Sequence, residues 1–426
     1  MKVRLRFSTL AGALLLWSII GFPFVASTLN MLGLPSTGIV IVARTIVLAM
    51  SVVMIGAGLA LRWSTYNAAF VLFLAFFAAY MMRITYDTVN PSHLLGRPAY
   101  MYWTFGVGVC FVPALALALF ARHLDVIRVY RPLILMIVVV LLLAIWGGST
   151  RMVGSQGDEF DTGRLALGSL NPISLGHVGG SLVILVYWRV RMLGEGFARM
   201  CLSLGLGLLG LYVLFAAGSR GPLVALILAV MFFEVVKGGR AAIFLTVAAA
   251  PFLAGLTFDL AWIEPVLGTS MFSRLDTALD GTDASSAGRL AQISSAWEMF
   301  LNSPLWGAAL EDPTFAIYPH NIIVEAFMAT GIFGGTMLIA LLGMTIWLAF
   351  RLARSNPFLS VYGALFVQYA VAAQFSGAIY TSSTTWAMLA CIVGLQSTLR
   401  AKMPSERDST SKTILLQPPS AVFSSL

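Results

Sequence analysis

Twelve apolar runs fill most of this 426-residue chain. They fall at approximately 8–27, 38–61, 66–83, 99–121, 132–148, 170–188, 200–217, 221–236, 241–258, 321–350, 357–377 and 384–399. Each is about long enough to cross a hydrocarbon layer near ~30 Å thick. Charged residues make up only 10% of the chain, against about 25% in soluble domains. The expected fold class is therefore all-α, a polytopic integral membrane protein with about 12 transmembrane helices.

The basic residues set an orientation. With both termini inside, the inner loops and tail hold 18 of the 26 lysines and arginines, as the positive-inside rule requires. The formal charge of +8 then reflects sidedness. No basic stripe with interleaved aromatics exists, which argues against nucleic acid as a partner. Met1–Phe7 ahead of an apolar run has the form of a signal peptide, but no clean small-residue cleavage site follows. A retained first helix is expected. Cys110, Cys201 and Cys391 lie in apolar runs and match no disulfide or metal framework, so core packing is expected for them.

Residues 1–399 read as one transmembrane domain, and 400–426 as a polar cytoplasmic tail expected to be disordered. The predicted outer segment 259–320 is by far the longest, which marks a functional loop rather than a connector. Within it, 285–302 has helical periodicity, with Leu290, Ile293, Trp297, Phe300 and Leu301 on one face. Ser285 or Ser286 is the expected cap and Pro304 the stop. The run 321–350 exceeds one upright span, so its first turns are expected at or beyond the interface.

Three outer-side residues carry the chemical argument. Arg220 sits between Gly218-Ser219 and Gly221-Pro222. Glycines permit close backbone approach, and Pro222 is expected to open the next helix. A helix N-terminus beside an arginine favours anions. Alone, such an arginine is more often a headgroup anchor. Arg289 falls in the first turn of the amphipathic helix, where a solvated charge or a partner for Asp280 or Asp283 is the bland alternative. His320 follows Tyr318-Pro319 directly before an apolar run, where imidazole can take a hydroxyl proton. Asn321 is placed to orient it, and Glu325 enters the apolar run about one turn on, where a carboxylate is costly. Arg44 lies inside the second span and needs a partner or a water-filled cavity. Arg83, Arg97 and Arg164 border the outer face, within reach of a lipid diphosphate or glycan. Asp158, Glu159 and Asp161 have a cation-binding alternative, but a solvated acidic loop is the better reading.

The ordered set Ser219-Arg220-Gly221, Arg289 through Pro304-Leu305-Trp306-Gly307, Pro319-His320-Asn321 and Gly331-Ile332-Phe333-Gly334 resembles the O-antigen ligase-like superfamily of membrane proteins. The match spans roughly 215–340. NPISLG (171–176) also looks like the family's entry to the sixth span, while Gly307-Ala308-Ala309 departs from a common Gly-x-Gly. The resemblance implies a glycosyltransferase over 1–399 with an undecaprenyl-diphosphate-linked glycan as donor. The acceptor would be the lipid A–core saccharide, in lipopolysaccharide assembly at the periplasmic face of the bacterial inner membrane. It implies that Arg220 and Arg289 hold the diphosphate and that His320 activates the acceptor. Ser219, Gly221, Asn321, Glu325, Arg44, Arg83, Arg97 and Arg164 are candidates for substrate binding. Inverting chemistry with no cofactor and no metal is expected. The acidic pair that metal-dependent lipid-linked glycosyltransferases carry in the first outer segment has no counterpart in 28–37.

Two other readings compete. A polymerase joining lipid-linked repeat units would share the site and differ only in acceptor. A lipid flippase or secondary transporter fits the span count. The transporter reading is disfavoured because the candidate site sits at the outer face rather than the midplane.

Overall fold

The computed structural model describes residues 7–33, 36–59, 67–90, 96–153, 159–168, 170–193, 196–238 and 284–401. Among them nine helices are long and apolar enough to cross a membrane. In chain order the helices are α1 (Phe7–Met31), α2 (Ser36–Leu59), α3 (Ala68–Val89), α4 (Ala99–His123), α5 (Val126–Gly147), α6 (Pro172–Leu193), α7 (Phe197–Ala216), α8 (Arg220–Lys237), α9 (Ala284–Asn302), α10 (Ile322–Ser355), α11 (Ser360–Ser376) and α12 (Ser383–Ala401). The protein is an all-α polytopic membrane protein.

Three of the twelve apolar segments are not among the nine. The segment 221–236 forms α8, which is not counted among the nine because Arg220, Glu234 and Lys237 charge its ends. The segment 384–399 forms α12, whose apolar part, Ser383–Gln396, is shorter than the nine. The segment 241–258 lies outside the described residues, as do 259–283 and 402–426. A two-stranded antiparallel hairpin, β1 (Ser149–Val153) and β2 (Glu159–Ala166), closes the segment between α5 and α6. Asp158 lies outside the described residues, while Glu159 and Asp161 are in β2.

The lipid-facing surface is legible in the burial pattern. Leu202, Leu204, Leu208 and Tyr212 of α7 are exposed, while Val213 and Leu214 pack inward. Hydrocarbon is as good a solvent for leucine as a protein core, so such faces need no cover. Close packing elsewhere uses small residues. Gly179 and Gly210 bring α6 and α7 together so tightly that a methyl at either would lie under 2.8 Å from the other's carbonyl oxygen. Cys110 and Cys391 are buried as expected, but Cys201 is exposed on α7.

Two elements differ from their sequence reading. α9 starts at Ala284, so Ser285 and Ser286 lie inside it rather than capping it. Its buried residues include Ala296 and Phe300, while Leu290, Trp297 and Leu301 stay exposed. The expected apolar face is thus split between the protein and the surroundings. α10 runs for 34 residues but breaks at Gly331 (φ 67°, ψ −163°). At ~1.5 Å per residue an unbroken helix of that length would reach about 50 Å, well beyond one membrane crossing.

Candidate functional site

The break at Gly331 is a docking point. Ile332 N–H donates to the Pro304 carbonyl at 2.7 Å, and Ala308 N–H to the Met328 carbonyl at 2.7 Å. A methyl on Gly331 would fall 2.3 Å from the Leu305 carbonyl oxygen, and one on Gly307 2.4 Å from the Ala329 carbonyl carbon. Both glycines also have positive φ. Pro304–Gly307 therefore sits in the notch of the broken helix, where backbone meets backbone and no side chain fits. This fixes α9 beside the start of α10.

Arg289, His320 and Gly221, the neighbour of Arg220, converge on one short stretch, Phe375–Gly377, at the end of α11. Arg289 Nη1 donates to the Phe375 carbonyl at 3.0 Å. The His320 imidazole hydrogen-bonds the Ser376 backbone. Gly221, next to Arg220, lies against Phe375, where an added methyl would be 3.4 Å from its Cβ. Asn321 Nδ2 donates to the Gln374 carbonyl at 3.1 Å, while its Oδ1 accepts from Ile323 and Val324 N–H and so caps α10. Asn321 thus anchors the helix start instead of holding the imidazole.

His320 itself has φ 58°, a left-handed backbone uncommon outside glycine. Such strain persists only where surrounding structure holds it. Here the holding contacts are the Tyr318 ring, 4.6 Å away edge-to-face, and Ser376. Nδ1 of His320 is buried with no protein partner among the described residues. Burial, then the nearby Arg289 and Arg97 charges, hold the imidazole below its usual pKa, opposed by the Ser376 hydrogen bond.

The Ser219-Arg220 turn is built by its neighbours. Gly218 takes φ 56°, and α8 begins at Arg220, two residues before Pro222. Proline is tolerated there because first-turn N–H groups have no helical partner. The Ser219 side chain does not cap α8; its hydroxyl accepts from Arg164, which also donates to the Ala217 carbonyl at 3.0 Å. Gly176 of the NPISLG stretch touches Pro222, where a methyl would be 2.9 Å from Cγ. Arg164 and Gly176 therefore position the turn.

The remaining candidates also have protein partners. Arg83 bonds the Gly307 and Ala308 carbonyls and pairs with buried Asp87 at 3.2 Å. Arg97 pairs with Glu311 at 3.7 Å and lies over the Tyr318 ring, 5.3 Å from its centroid. Glu325 is fully buried and accepts from Tyr80 at 3.3 Å and from Ile379 N–H at 2.8 Å. It ties the 377–382 connector to α10 and, being fully buried, is not a solvent-facing base. Arg44 faces a cavity, described below. Sequence reasoning missed Glu311, which also accepts from Tyr102 and from Gly96 N–H. It also missed the connector itself, which holds no charged residue to draw the eye.

Residues 205–339 match the family model described as O-Antigen ligase. That stretch of the chain is similar to the O-antigen ligase family. The matched stretch includes Arg220, Arg289, His320 and the Gly307–Gly331 notch, but not Phe375–Gly377. Members of this family are glycosyltransferase-like enzymes, ligases and polymerases, acting on lipid-linked glycans. No curated protein matches the chain significantly.

Proposed function

We propose that the protein is an O-antigen ligase that transfers glycan from undecaprenyl diphosphate to the lipid A–core saccharide. The reading places the reaction at the periplasmic face of the bacterial inner membrane, with both termini cytoplasmic. The observation that carries it is the convergence of the Arg289 guanidinium and the His320 imidazole on Phe375–Ser376, with Gly221 of the Ser219-Arg220 turn packed against the same stretch. Arg220 and Arg289 supply planar forks suited to phosphate oxygens, and the N-terminus of α8 adds its dipole.

In this mechanism an acceptor hydroxyl oxygen attacks the anomeric carbon opposite the diphosphate. The new C–O bond forms as the sugar–phosphate C–O bond breaks, which inverts the centre. His320 takes the hydroxyl proton, and the electron pair leaves with the diphosphate, where Arg220 and Arg289 stabilise the added charge. Orphaned Nδ1 of His320 is the nitrogen that lacks a protein partner. Glu325 and Asn321 hold the connector and helix start, Arg164 holds the turn, and none need touch substrate.

The test offers purified protein a lipid-linked glycan together with lipid A–core or a second lipid-linked glycan, in the presence of EDTA. The expected product is glycosylated lipid A–core of inverted configuration. Elongated lipid-linked glycan instead would make the protein a polymerase. Activity that EDTA abolishes and magnesium restores would overturn the metal-independent mechanism. No transfer to either acceptor would leave the transporter class standing.

A further inference from the structure

Arg44 lies within a membrane-spanning helix, and no carboxylate pairs with it among the described residues. Its guanidinium lies 4.1 Å from the Phe105 ring centroid and 5.7 Å from that of Phe22. A cation inside the hydrocarbon layer needs a counter-charge or water. Arg44 lines a cavity of about 430 Å³ between α1, α2, α6, α11 and the start of α12. That volume falls among those of small-molecule sites.

His177 on α6 lines the same cavity. It is 7% exposed, and neither ring nitrogen has a protein partner among the described residues. Buried polar atoms in native structures are nearly always satisfied, so an imidazole orphaned at both ends points to a ligand or solvent. The starts of two helices complete the wall, α6 through Ser174 and α12 through Ser383 to Thr385. Helix N-termini present positive dipole ends and N–H donors. Among the described residues the wall contains no aspartate or glutamate. One cation, two positive helix ends and the Ser174 and Ser383 hydroxyls, without a carboxylate among the described residues, select an anion with several acceptor oxygens.

We propose that this cavity is a second anion-binding site, taking a phosphate or diphosphate group. It is separate from the Arg220–Arg289 pair, since neither arginine lines it. Ser376, Gly377 and Tyr318 form the shared partition: they line the cavity, while His320 bonds the Ser376 backbone. Binding there does not depend on the chain being a ligase, so the transfer assay and the binding assay fail independently. The anion can arrive on a prenyl chain from the membrane or free from the aqueous side.

The experiment uses the full chain in lipid nanodiscs, with inorganic diphosphate and farnesyl diphosphate as probes. Ser382→Cys is placed in the cavity wall on a Cys201→Ser background, which removes the exposed native thiol. Either probe should slow maleimide modification at least 10-fold. The protection should survive Arg220→Gln and be lost in Arg44→Gln. Protection by farnesyl diphosphate alone assigns the site to a lipid headgroup; equal protection by inorganic diphosphate assigns it to a free anion. Should Arg44→Gln elute as aggregate, His177→Phe, which fills the cavity with an apolar ring, takes its place. No protection by either probe, or protection that disappears with Arg220→Gln and persists in Arg44→Gln, overturns the proposal.

Discussion

Arg220 and His320 can be separated by what each contributes. Arg220→Lys keeps the charge but loses the bidentate fork. It should cost at least ~2 kcal/mol in transition-state stabilisation, comparable to losing one oxyanion donor, read as a fall in kcat/KM for transfer. Near-normal turnover would reduce Arg220 to a headgroup anchor. His320→Ala should lower transfer by ~10²–10⁴-fold while diphosphate binding holds, because a neutral imidazole adds little to anion affinity. Equal loss of binding and transfer would make His320 structural. The pH profile adds a second check. Burial and the nearby Arg289 hold the imidazole below its ordinary value, about 6.5. The neutral, base-competent form therefore persists below that pH, and the acid limb of the rate should lie under ~6.5. Arg289→Gln removes a positive neighbour and should move that limb upward, whatever it does to the maximal rate. A limb that stays in place would show that Arg289 does not act on the imidazole.

At the scale of elements, the broken helix α10 is the joint on which the site is assembled. Gly331→Ala forces a side chain into positive φ and against the Leu305 carbonyl. The backbone strain alone is worth ~1–3 kcal/mol. The variant should lower the thermal midpoint in detergent and lose transfer together. Gly343→Ala, on the same helix with nothing within 4 Å of the added methyl, should change neither. Equal behaviour of the two variants would show that the notch does not position the site. The elements also show what a sequence can and cannot disclose. Gly331 stood out as part of a Gly-Ile-Phe-Gly run, but its positive φ depends on Pro304, a residue 27 positions earlier. Ser285 and Ser286 have a cap's chemistry, but α9 begins before them. Arg83 and Arg164 border the outer face by hydropathy alone. Their carbonyl partners at Gly307, Ala308 and Ala217 come from distant segments that no local pattern links to them.

For the whole molecule, sidedness is the prediction with the widest reach. The charge asymmetry predicts that 259–320 lies on the outer side, along with the starts of α8 and α10. A cysteine at Ser286, on a Cys201→Ser background, should react with an impermeant maleimide in intact spheroplasts. Reaction only after permeabilisation would reverse the orientation and with it the proposed site of reaction. The sequence by itself determined the membrane-spanning helical class, because apolar runs of span length have few other homes. It also determined the ordered motifs through which the O-antigen ligase segment is recognised. Tertiary structure decided which charged residues meet. Arg220, Arg289 and His320 are spread over 100 positions and share no helical or strand spacing. Arg289, His320 and the Gly221 neighbour of Arg220 meet at Phe375–Gly377, an uncharged stretch that offers backbone carbonyls, and backbone carbonyls carry no sequence signature. Only the packing of α9, α10 and α11 brings Arg289 and His320 to that stretch, with α8 setting Gly221 beside it, while the packing of α1, α2, α6 and α11 leaves Arg44 and His177 facing a cavity.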